Sequence, residues 1–364
     1  MLQELKGEYK MADWTKAMQQ TFEYYIVDPG TWRDVKKIND VISSRVSRDA
    51  SAETLGSASI SISESIGECY IRIYLVTIQN GIRERHPLGT YMVQTPSYSF
   101  DGKVKNITMD AYTPLIELKE KNPPIGYSVL KDENIMERVS LVMAENMRAP
   151  VIANNKDSVL HENFVANLDD TWMSFSRDLI SNAEMQIELD ELGRVLFAPY
   201  QSLDAMQPVW TFDTSNSSIL HPNFTIEHDL YGIPNVVEVV YSNSKETITV
   251  YAINDNPDSP VSTVSRGRQI VQRITSPSIA GNPSKAELQE YANRVLRDAS
   301  SIAYTVSYTH GYCPVRLGDC VRLNYPAAGL RNVKAKIISQ TIDCVPGCPV
   351  TEKAIFVSNL WDEV

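Results

Sequence analysis

The stretch Ala58-Ser-Ile-Ser-Ile-Ser63 alternates strictly between apolar residues and serine. Successive side chains of a β-strand point to opposite faces, so this order places the apolar residues on one face and the serines on the other. It predicts a half-buried strand with an exposed serine face. Other short apolar runs separated by turns surround it, from Phe22 to about Thr113, and we expect this part of the chain to be a β-domain.

The runs that follow support the same interpretation. Asn80-Gly81 is a strong hairpin signal because both residues tolerate a positive φ. Short strands at this spacing favour a small barrel or a sandwich. Strands are predicted at residues 70–78, 89–93 and 105–112.

The middle of the chain has helical periodicity. After the breaker cluster Asn122-Pro-Pro-Ile-Gly126, we expect Asp132 to cap one helix and a second helix to begin at Asp169-Asp-Thr171. The apolar residues of each helix fall on one face, so both helices are amphipathic. They are Ile135, Val139, Val142, Met143 and Met147 in the first helix, and Trp172, Phe175, Leu179 and Ala183 in the second.

Strands return after these helices. Residues 185–198 are predicted to form a strand, a tight turn and a strand, with Gly193 supplying the unusual backbone angle of the turn. The last third contains one long helix, which begins at the capping box Ser284-Lys-Ala-Glu287. Further strands are predicted at residues 235–241, 247–251, 304–308, 320–325, 333–339 and 354–360.

Together these patterns predict an α+β fold that is mainly β. We expect two small tube-like β-barrel domains, an α/β insert between them and a long helix in the C-terminal half. The expected boundaries are 1–120 for the first barrel, 121–213 for the insert and 214–364 for the second barrel, whose helix spans 284–301.

The composition is that of a globular protein. The 364 residues leave ample material for a core, and the shares of hydrophobic (43%) and charged (22%) residues are ordinary. The formal net charge of -11 disfavours attraction to the nucleic-acid backbone. An acidic surface would suit a conduit past which DNA slides without binding.

Targeting signals are not evident in the sequence. No run approaches the roughly 20 apolar residues of a transmembrane helix, and the first residues lack the basic and apolar regions of a signal peptide. We therefore expect synthesis in the cytoplasm and no membrane insertion. The five cysteines, an odd number, argue against a disulfide framework and agree with a reducing compartment.

The C-terminal cysteines are the one candidate metal site, because thiolates bind zinc. Structural zinc sites usually take their ligands in pairs with two residues between them. Here six residues separate Cys313 from Cys320, and three separate Cys344 from Cys348. Buried thiols are the favoured interpretation, and no cofactor is expected. The candidates are Cys313, Cys320, Cys344 and Cys348.

No residue is assigned a catalytic role. The chain has neither a nucleophile elbow nor a phosphate-binding glycine loop. The pairs Asp169-Asp170 and Asp190-Glu191 are interpreted as helix-cap and turn residues rather than as the two acids of a glycosidase. No metal-ligand spacing links the histidines, which are His86, His161, His221, His228 and His310.

Two small basic groups lack the interleaved aromatic residues of a nucleic-acid groove. We interpret them as solvated strand faces or as charges at subunit contacts. They are Arg331, Lys334 and Lys336, and Arg83, Arg85 and His86.

The order of these parts resembles the hub proteins of tailed-phage baseplates, the family of the late control protein D and of the T-even phage hub. These hubs are related to the N-terminal part of secretion-system spike proteins. The resemblance runs from about residue 20 to the end. It rests on the strand pair at 46–62, the helix and hairpin at 170–199, the strand at 235–239, Ser265-Arg-Gly267, the helix after Ser284, and Leu317-Gly-Asp-Cys-Val-Arg-Leu323.

The resemblance implies a homotrimer in which each subunit contributes two related barrels, giving six barrels around a channel. Such a ring joins the hexameric tail tube to a trimeric spike or tail-tip protein, contacts other baseplate proteins, and lets DNA pass without specific binding. The protein would then be a non-enzymatic virion component of a phage tail or contractile injection system. The sequence shows no lysozyme-like or peptidase-like region, and no OB-fold with a β-helix.

Two other functions stay open. A receptor-binding or glycan-binding tail-tip protein would need exposed aromatic platforms, whereas Trp172 and Trp210 are expected to pack within the helical insert. A tail-associated cell-wall hydrolase would need convergent acids or a zinc site, for which the C-terminal cysteines are the only candidate.

Overall fold

The computed structural model describes residues 12–63, 66–100, 105–228, 230–242, 247–275, 283–300 and 302–358. The chain forms two compact units: Met1–Phe224 with Ser307–Ala354, and Thr225–Val306 with Ile355–Val364. The predicted domain boundaries at residues 120 and 213 stay a prediction.

The described residues are mainly strand, which confirms the predicted α+β, mainly β class. The helices are α1 (Ile116–Lys119), α2 (Ile135–Asn146), α3 (Trp172–Ser181), α4 (Thr263–Arg266) and α5 (Lys285–Ala299), and Pro326–Ala328 is a 3-10 turn. The strands are β1 (Gln19–Asp28), β2 (Arg33–Ile38), β3 (Val41–Asp49), β4 (Gly56–Ile62), β5 (Tyr70–Gln79), β6 (Ile82–Phe100), β7 (Lys105–Tyr112), β8 (Ser128–Val129), β9 (Phe164–Val165), β10 (Met185–Leu189), β11 (Val195–Pro199), β12 (Trp210–Phe212), β13 (Leu220–His228), β14 (Val236–Ser242), β15 (Thr247–Ile253), β16 (Val271–Ile274), β17 (Ile302–Gly311), β18 (Cys320–Tyr325), β19 (Leu330–Asp343) and β20 (Pro349–Ser358).

One large sheet joins strands from both ends of the chain. Its order is β13-β17-β20-β19-β3-β4-β7-β6-β5-β1-β2, with β18 on β19 and β12 on β18. The antiparallel pair of β3 and β19 links the two ends, with Val46 opposite Ile342. The order has two ends, β13 and β2, so closure into two barrels stays a prediction.

The alternation in β4 is confirmed by its burial. Ala58, Ile60 and Ile62 are buried, while the serines between them are half-buried rather than fully exposed. The neighbours β3 and β7 pair with β4 on its two sides. The predicted hairpin is confirmed too, since Asn80 and Gly81 both have positive φ and Gln79 pairs with Ile82.

Strand β5 is buried on both faces. Ile71 and Ile73 pack in the core under β4, whereas Tyr70 on the other face packs against Ile116 of α1. The short helix that follows β7 therefore covers the second face of the sheet. This explains why the sequence of β5 is almost continuously apolar.

Edge strand β2 carries exposed positive charge. Its residues Arg33, Lys36 and Lys37 are exposed, and Val35 between them is 62% exposed. Lysine on an edge strand disfavours pairing with another strand.

The insert packs α2 and α3 over the β10–β11 hairpin. The predicted apolar residues of both helices form its core. The predicted cap of the first helix is wrong: Asn134, not Asp132, accepts a hydrogen bond from the Glu137 N–H. Asp132 has a φ of 67°, a turn conformation that lies outside the helix. The second helix, α3, begins at the predicted place, but its N-cap is Thr171 rather than Asp169 or Asp170. Ala183 is buried just beyond the end of that helix.

In the second unit, α5 covers one face of the three-stranded sheet β15-β14-β16. Ser284 and Glu287 form the predicted capping box, and the helix ends at Ala299, two residues before the predicted 301. Residues 359 and 360 of the last predicted strand lie outside the described residues. Among the helices that the structure describes, none combines the length and the apolar character needed to span a membrane.

Candidate functional site

The turn of the β10–β11 hairpin is held against the large sheet by one carbonyl group. The oxygen of Leu192 accepts hydrogen bonds from Trp32 Nε1 at 2.8 Å, Thr90 Oγ1 at 2.9 Å and Arg72 Nη2 at 3.3 Å. We call these four residues the Leu192 clamp. It fixes the insert on β5 and β6 within the first unit.

Arg72 is the centre of this clamp, and its side chain is almost fully buried. Its Nη1 lies 2.9 Å from Asp34 Oδ1, and its Nε donates to Thr90 Oγ1 at 2.9 Å. The Tyr74 hydroxyl donates to the other oxygen of Asp34 at 2.8 Å. Burying a guanidinium is costly unless its donors are satisfied, and here each nitrogen has a partner.

Close approach at the clamp requires a glycine at position 193. Gly193 has a φ of 75°, and a Cβ at that position would lie 2.8 Å from the Cβ of Thr90. The prediction that Gly193 supplies the turn angle is confirmed. The structure adds a second reason for glycine, which is contact with the sheet.

A cavity of about 430 Å³ lies beside the clamp and contains the predicted carboxylate pair Asp190-Glu191. Asp190 accepts from the backbone N–H of Leu192 and Arg194, as a turn residue does. Glu191 forms an ion pair of 2.6 Å with Arg316. Both acids thus have structural partners, as the turn interpretation predicts.

The other predicted carboxylate pair lies at the start of α3. The Asp170 carboxylate accepts from the backbone N–H of Asn167 and from the Ser174 hydroxyl, which belongs to the capping box of the helix.

The four candidate cysteines are all buried free thiols. Cys344 and Cys348 pack in the core under β4, Cys320 begins β18, and Cys313 Sγ lies 3.9 Å from His310 Nδ1. Among the described residues, no three His, Cys, Asp or Glu side chains meet in a metal-binding group. The geometry of the described residues offers no support for a four-sulfur site.

Burial also makes these thiols weak nucleophiles. It raises the pKa of Cys344 to about 11 and the pKa of Cys313 and Cys348 still further. Because the thiolate is the reactive form, we expect the native protein to expose no more than one cysteine, the half-buried Cys69, to a thiol reagent. Denaturant should release all five. A Cys69→Ser control should abolish the native reaction, and rapid native labelling of two or more thiols would contradict this expectation.

The histidines are scattered, as their spacing predicts. His161 and His221 are exposed, and the side chain of His228 lies outside the described residues. His86 is partly buried beside Trp14, and burial lowers the pKa of His86. His310 is fully buried and faces Glu352, an arrangement that the sequence analysis missed.

The basic groups have mostly internal partners. Arg83 and Arg85 both contact the Glu23 carboxylate, at 3.0 and 3.4 Å. Lys334 donates to the backbone oxygens of Asp204 and Met206. These side chains serve the subunit's own structure, which agrees better with strand-face charges than with a nucleic-acid groove.

The tryptophans do not form an exposed platform in the part of the chain that the structure describes. Trp14, Trp32 and Trp210 are half-buried and Trp172 is buried. Trp210 lies in β12, which pairs in parallel with β18, so its predicted place in the helical insert is wrong. The short apolar run around it pairs with a strand more than a hundred residues later, which local sequence does not reveal.

No protein-family model matches the chain, and no curated protein sequence matches it. Solved structures do match. The tail protein from Neisseria meningitidis MC58 is similar with a TM-score of 0.60 and 11% identity, over 93% of this chain and 96% of that one. The 43 kDa tail protein of prophage MuSo2 from Shewanella oneidensis has a TM-score of 0.59 and 10% identity, over 92% and 98%.

The chain has the fold of phage tail proteins. A structure of the Francisella PdpA–VgrG complex shares this tail-protein fold with a TM-score of 0.54 and 9% identity, over 93% of this chain but only 58% of that one. The resemblance predicted from the sequence is therefore confirmed at the level of the fold.

Proposed function

We propose that this protein is a structural subunit of a phage tail baseplate, a hub that assembles as a homotrimer. The observation that carries the proposal is the tail-protein fold, which extends over nearly the whole of this chain and of the Neisseria tail protein. In the proposed ring, each subunit contributes two related barrels. The ring joins the tail tube to a spike or tail-tip protein.

The negative net charge of the chain supports the proposal that the ring encloses a channel for DNA. A net charge of -11 gives little attraction to phosphate, so DNA would slide through the ring without being held. The internal ion pairs of Arg83 and Arg85 reduce the free positive charge further. We propose that DNA crosses the ring without specific contacts.

A non-enzymatic role is part of the proposal. The acids in the cavity beside the Leu192 clamp are engaged by a turn and by Arg316, and the buried cysteines are poor nucleophiles at neutral pH. These features support an assembly function more than a hydrolytic one.

Exposed apolar side chains offer surfaces for subunit contacts. Phe100 is 70% exposed at the end of β6, and Ile42 is 56% exposed on β3. Tyr, Trp and Phe are enriched at the cores of protein interfaces relative to the rest of the surface. We propose that Phe100 lies in the contact between subunits.

Native mass spectrometry of the purified protein tests the trimer. The expected species is three copies of the 40.9 kDa chain, and electron microscopy should show a ring with a pore wide enough for duplex DNA. A stable monomer that binds glycans or cleaves cell-wall material would contradict the proposal.

The contact at Phe100 is tested by Phe100→Asp. We expect this variant to weaken trimer assembly by about 30-fold or more, because a buried charge replaces an aromatic contact. Its thermal unfolding as a monomer should be unchanged, since the side chain is exposed in the subunit. Phe100→Leu is the matched control and should still assemble. Equal assembly of both variants would remove Phe100 from the interface.

A further inference from the structure

A carboxylate lies fully buried where β17, β19 and β20 meet. Glu352 is completely inaccessible to solvent, and both of its oxygens accept hydrogen bonds. The Tyr308 hydroxyl donates to Oε2 at 2.5 Å, and Gln340 Nε2 donates to Oε1 at 2.6 Å. A carboxylate removed from water needs such donors, and an ionised one also needs a positive partner.

The ring of His310 faces the same carboxylate. His310 is also fully buried, and its Nδ1 lies 2.6 Å from the backbone oxygen of Gly311. A carbonyl oxygen only accepts, so Nδ1 must carry a hydrogen. The remaining nitrogen, Nε2, lies 3.3 Å from Glu352 Oε1 and has no aligned hydrogen-bond partner among the described residues.

The number of protons on these two groups follows from this geometry. With no proton between them, a nitrogen lone pair would face a charged oxygen in a dry interior. With two protons, the pair would bury a net positive charge. With one proton the pair is neutral as a whole, whether the proton sits on Nε2 or on Oε1.

We propose that His310 and Glu352 share a single proton, and that this proton joins their buried side chains across the paired strands β17 and β20. The contribution of this pair to the stability of the first unit therefore depends on pH.

Titratable groups surround the pair, and each keeps its own proton rather than sharing that of His310 and Glu352. Burial and the adjacent carboxylate raise the pKa of Tyr308 well above its usual range, so Tyr308 remains a donor. Burial likewise raises the pKa of the Cys313 thiol on the other side of the ring. Arg48 lies near Glu191, Tyr91 and Tyr312, and its Nη1 donates to Gln340 Oε1 at 3.1 Å, so Gln340 stands between Arg48 and the pair. The aromatic rings of Phe212 and Tyr308 also pack against the His310 ring, with ring centroids 4.5 and 5.9 Å from it.

A shared proton predicts how stability depends on pH. In the unfolded chain a histidine gains its proton below about pH 6.5 and a glutamate below about pH 4.3. Between these values the folded and unfolded states hold the same number of protons, so the contribution of the pair to stability is constant. Above about pH 6.5 the folded state holds one proton more, and stability falls as pH rises. Below about pH 4.3 it holds one fewer, and stability falls as pH drops.

Two single variants should respond to pH in opposite directions between about pH 4.3 and 6.5. In His310→Phe, the isolated buried Glu352 takes up a proton in the folded state, so stability should fall as pH rises. In Glu352→Met, the isolated His310 stays neutral when folded, so stability should fall as pH drops. Each slope should approach a tenfold change in the unfolding constant per pH unit, which corresponds to one proton.

The double variant, His310→Phe with Glu352→Met, is the reference for all other titrating groups. Relative to it, the wild-type protein should be flat in this window and the two single variants should slope oppositely. Urea unfolding across the pH range measures all four proteins. If the wild-type protein slopes relative to the double variant in this window, its folded pair does not hold one proton, and the shared proton is ruled out.

Nitrogen NMR of histidine-labelled wild-type protein tests the shared proton even where a single variant fails to fold. We expect Nε2 of His310 to show a protonated or proton-sharing shift that stays constant from about pH 5 to 8, the range in which histidines usually change charge. The exposed His161 and His221 serve as internal references and can be assigned by substitution with glutamine. An Nε2 shift typical of a lone pair that accepts no hydrogen bond, or a His310 signal that moves with those of the exposed rings, would overturn the proposal.

Discussion

Gly56→Ala is expected to lower the free energy of unfolding by about 3 kcal/mol, through backbone strain and overpacking together. Gly56 begins β4 with a φ of 150°, and a Cβ there would lie 2.4 Å from the backbone oxygen of Ser47. The same Cβ would lie 3.1 Å from the Cα of Arg48. Because both neighbours are backbone atoms of β3, the strand pair itself has to shift.

Urea unfolding measures this loss, and Gly30→Ala is the matched control. The Cβ at Gly30 would meet only Asp28 Oδ2 at 3.6 Å, an ordinary contact, so that variant should stay within about 0.5 kcal/mol of the wild type. Similar stabilities for the two alanine variants would show that β3 and β4 adjust without strain.

Arg72→Met is expected to cost about 3 kcal/mol or more, because it breaks a buried ion pair and leaves polar groups without partners. Asp34 loses its nearest cation, and the Leu192 oxygen loses one of its three donors. Amide hydrogen exchange in the 190–193 turn should speed up, since the Leu192 clamp holds that turn on the sheet.

Arg45→Met is the control for this prediction. Arg45 also forms an ion pair, 2.6 Å from Asp343, but its side chain is 64% exposed. Exposed pairs contribute roughly 0 to 1 kcal/mol, so this variant should be nearly as stable as the wild type. Equal losses in the two methionine variants would mean that burial of Arg72 does not set the strength of its contacts.

Strand periodicity in the sequence was sufficient to find much of the fold. The bounds of β7 and β18 agree with the prediction, and the strand pair of 46–62 is present as β3 and β4. Strands were harder to predict where periodicity is weak. The strand β2, Arg-Asp-Val-Lys-Lys-Ile, is a charged edge strand. It is a strand because it pairs with β1, and its own sequence gives little sign of this.

Local chemistry could not decide between two capping residues of the first helix. Asp132 and Asn134 are both good N-caps, and only the backbone conformation shows that the chain is still in a turn at Asp132. Local sequence patterns could not predict the strand order of the large sheet, because β3 pairs with β19 about 290 residues later.

The buried pair could have been found from one signal. Glu352 alternates with Val350 and Ala354, so its strand places it inward with two buried apolar residues. That alternation marks a charge in the core and a need for partners. It does not identify them, because His310 and Gln340 come from other strands.

The exposed lysines of β2 have a consequence for how copies of the protein meet. Two such edges repel each other, which hinders side-by-side growth into endless fibres while subunits accumulate in a crowded cell. Strand pairing between copies is thereby disfavoured at this edge. In the proposed trimer, the number of subunits would then be set by the other faces of the molecule.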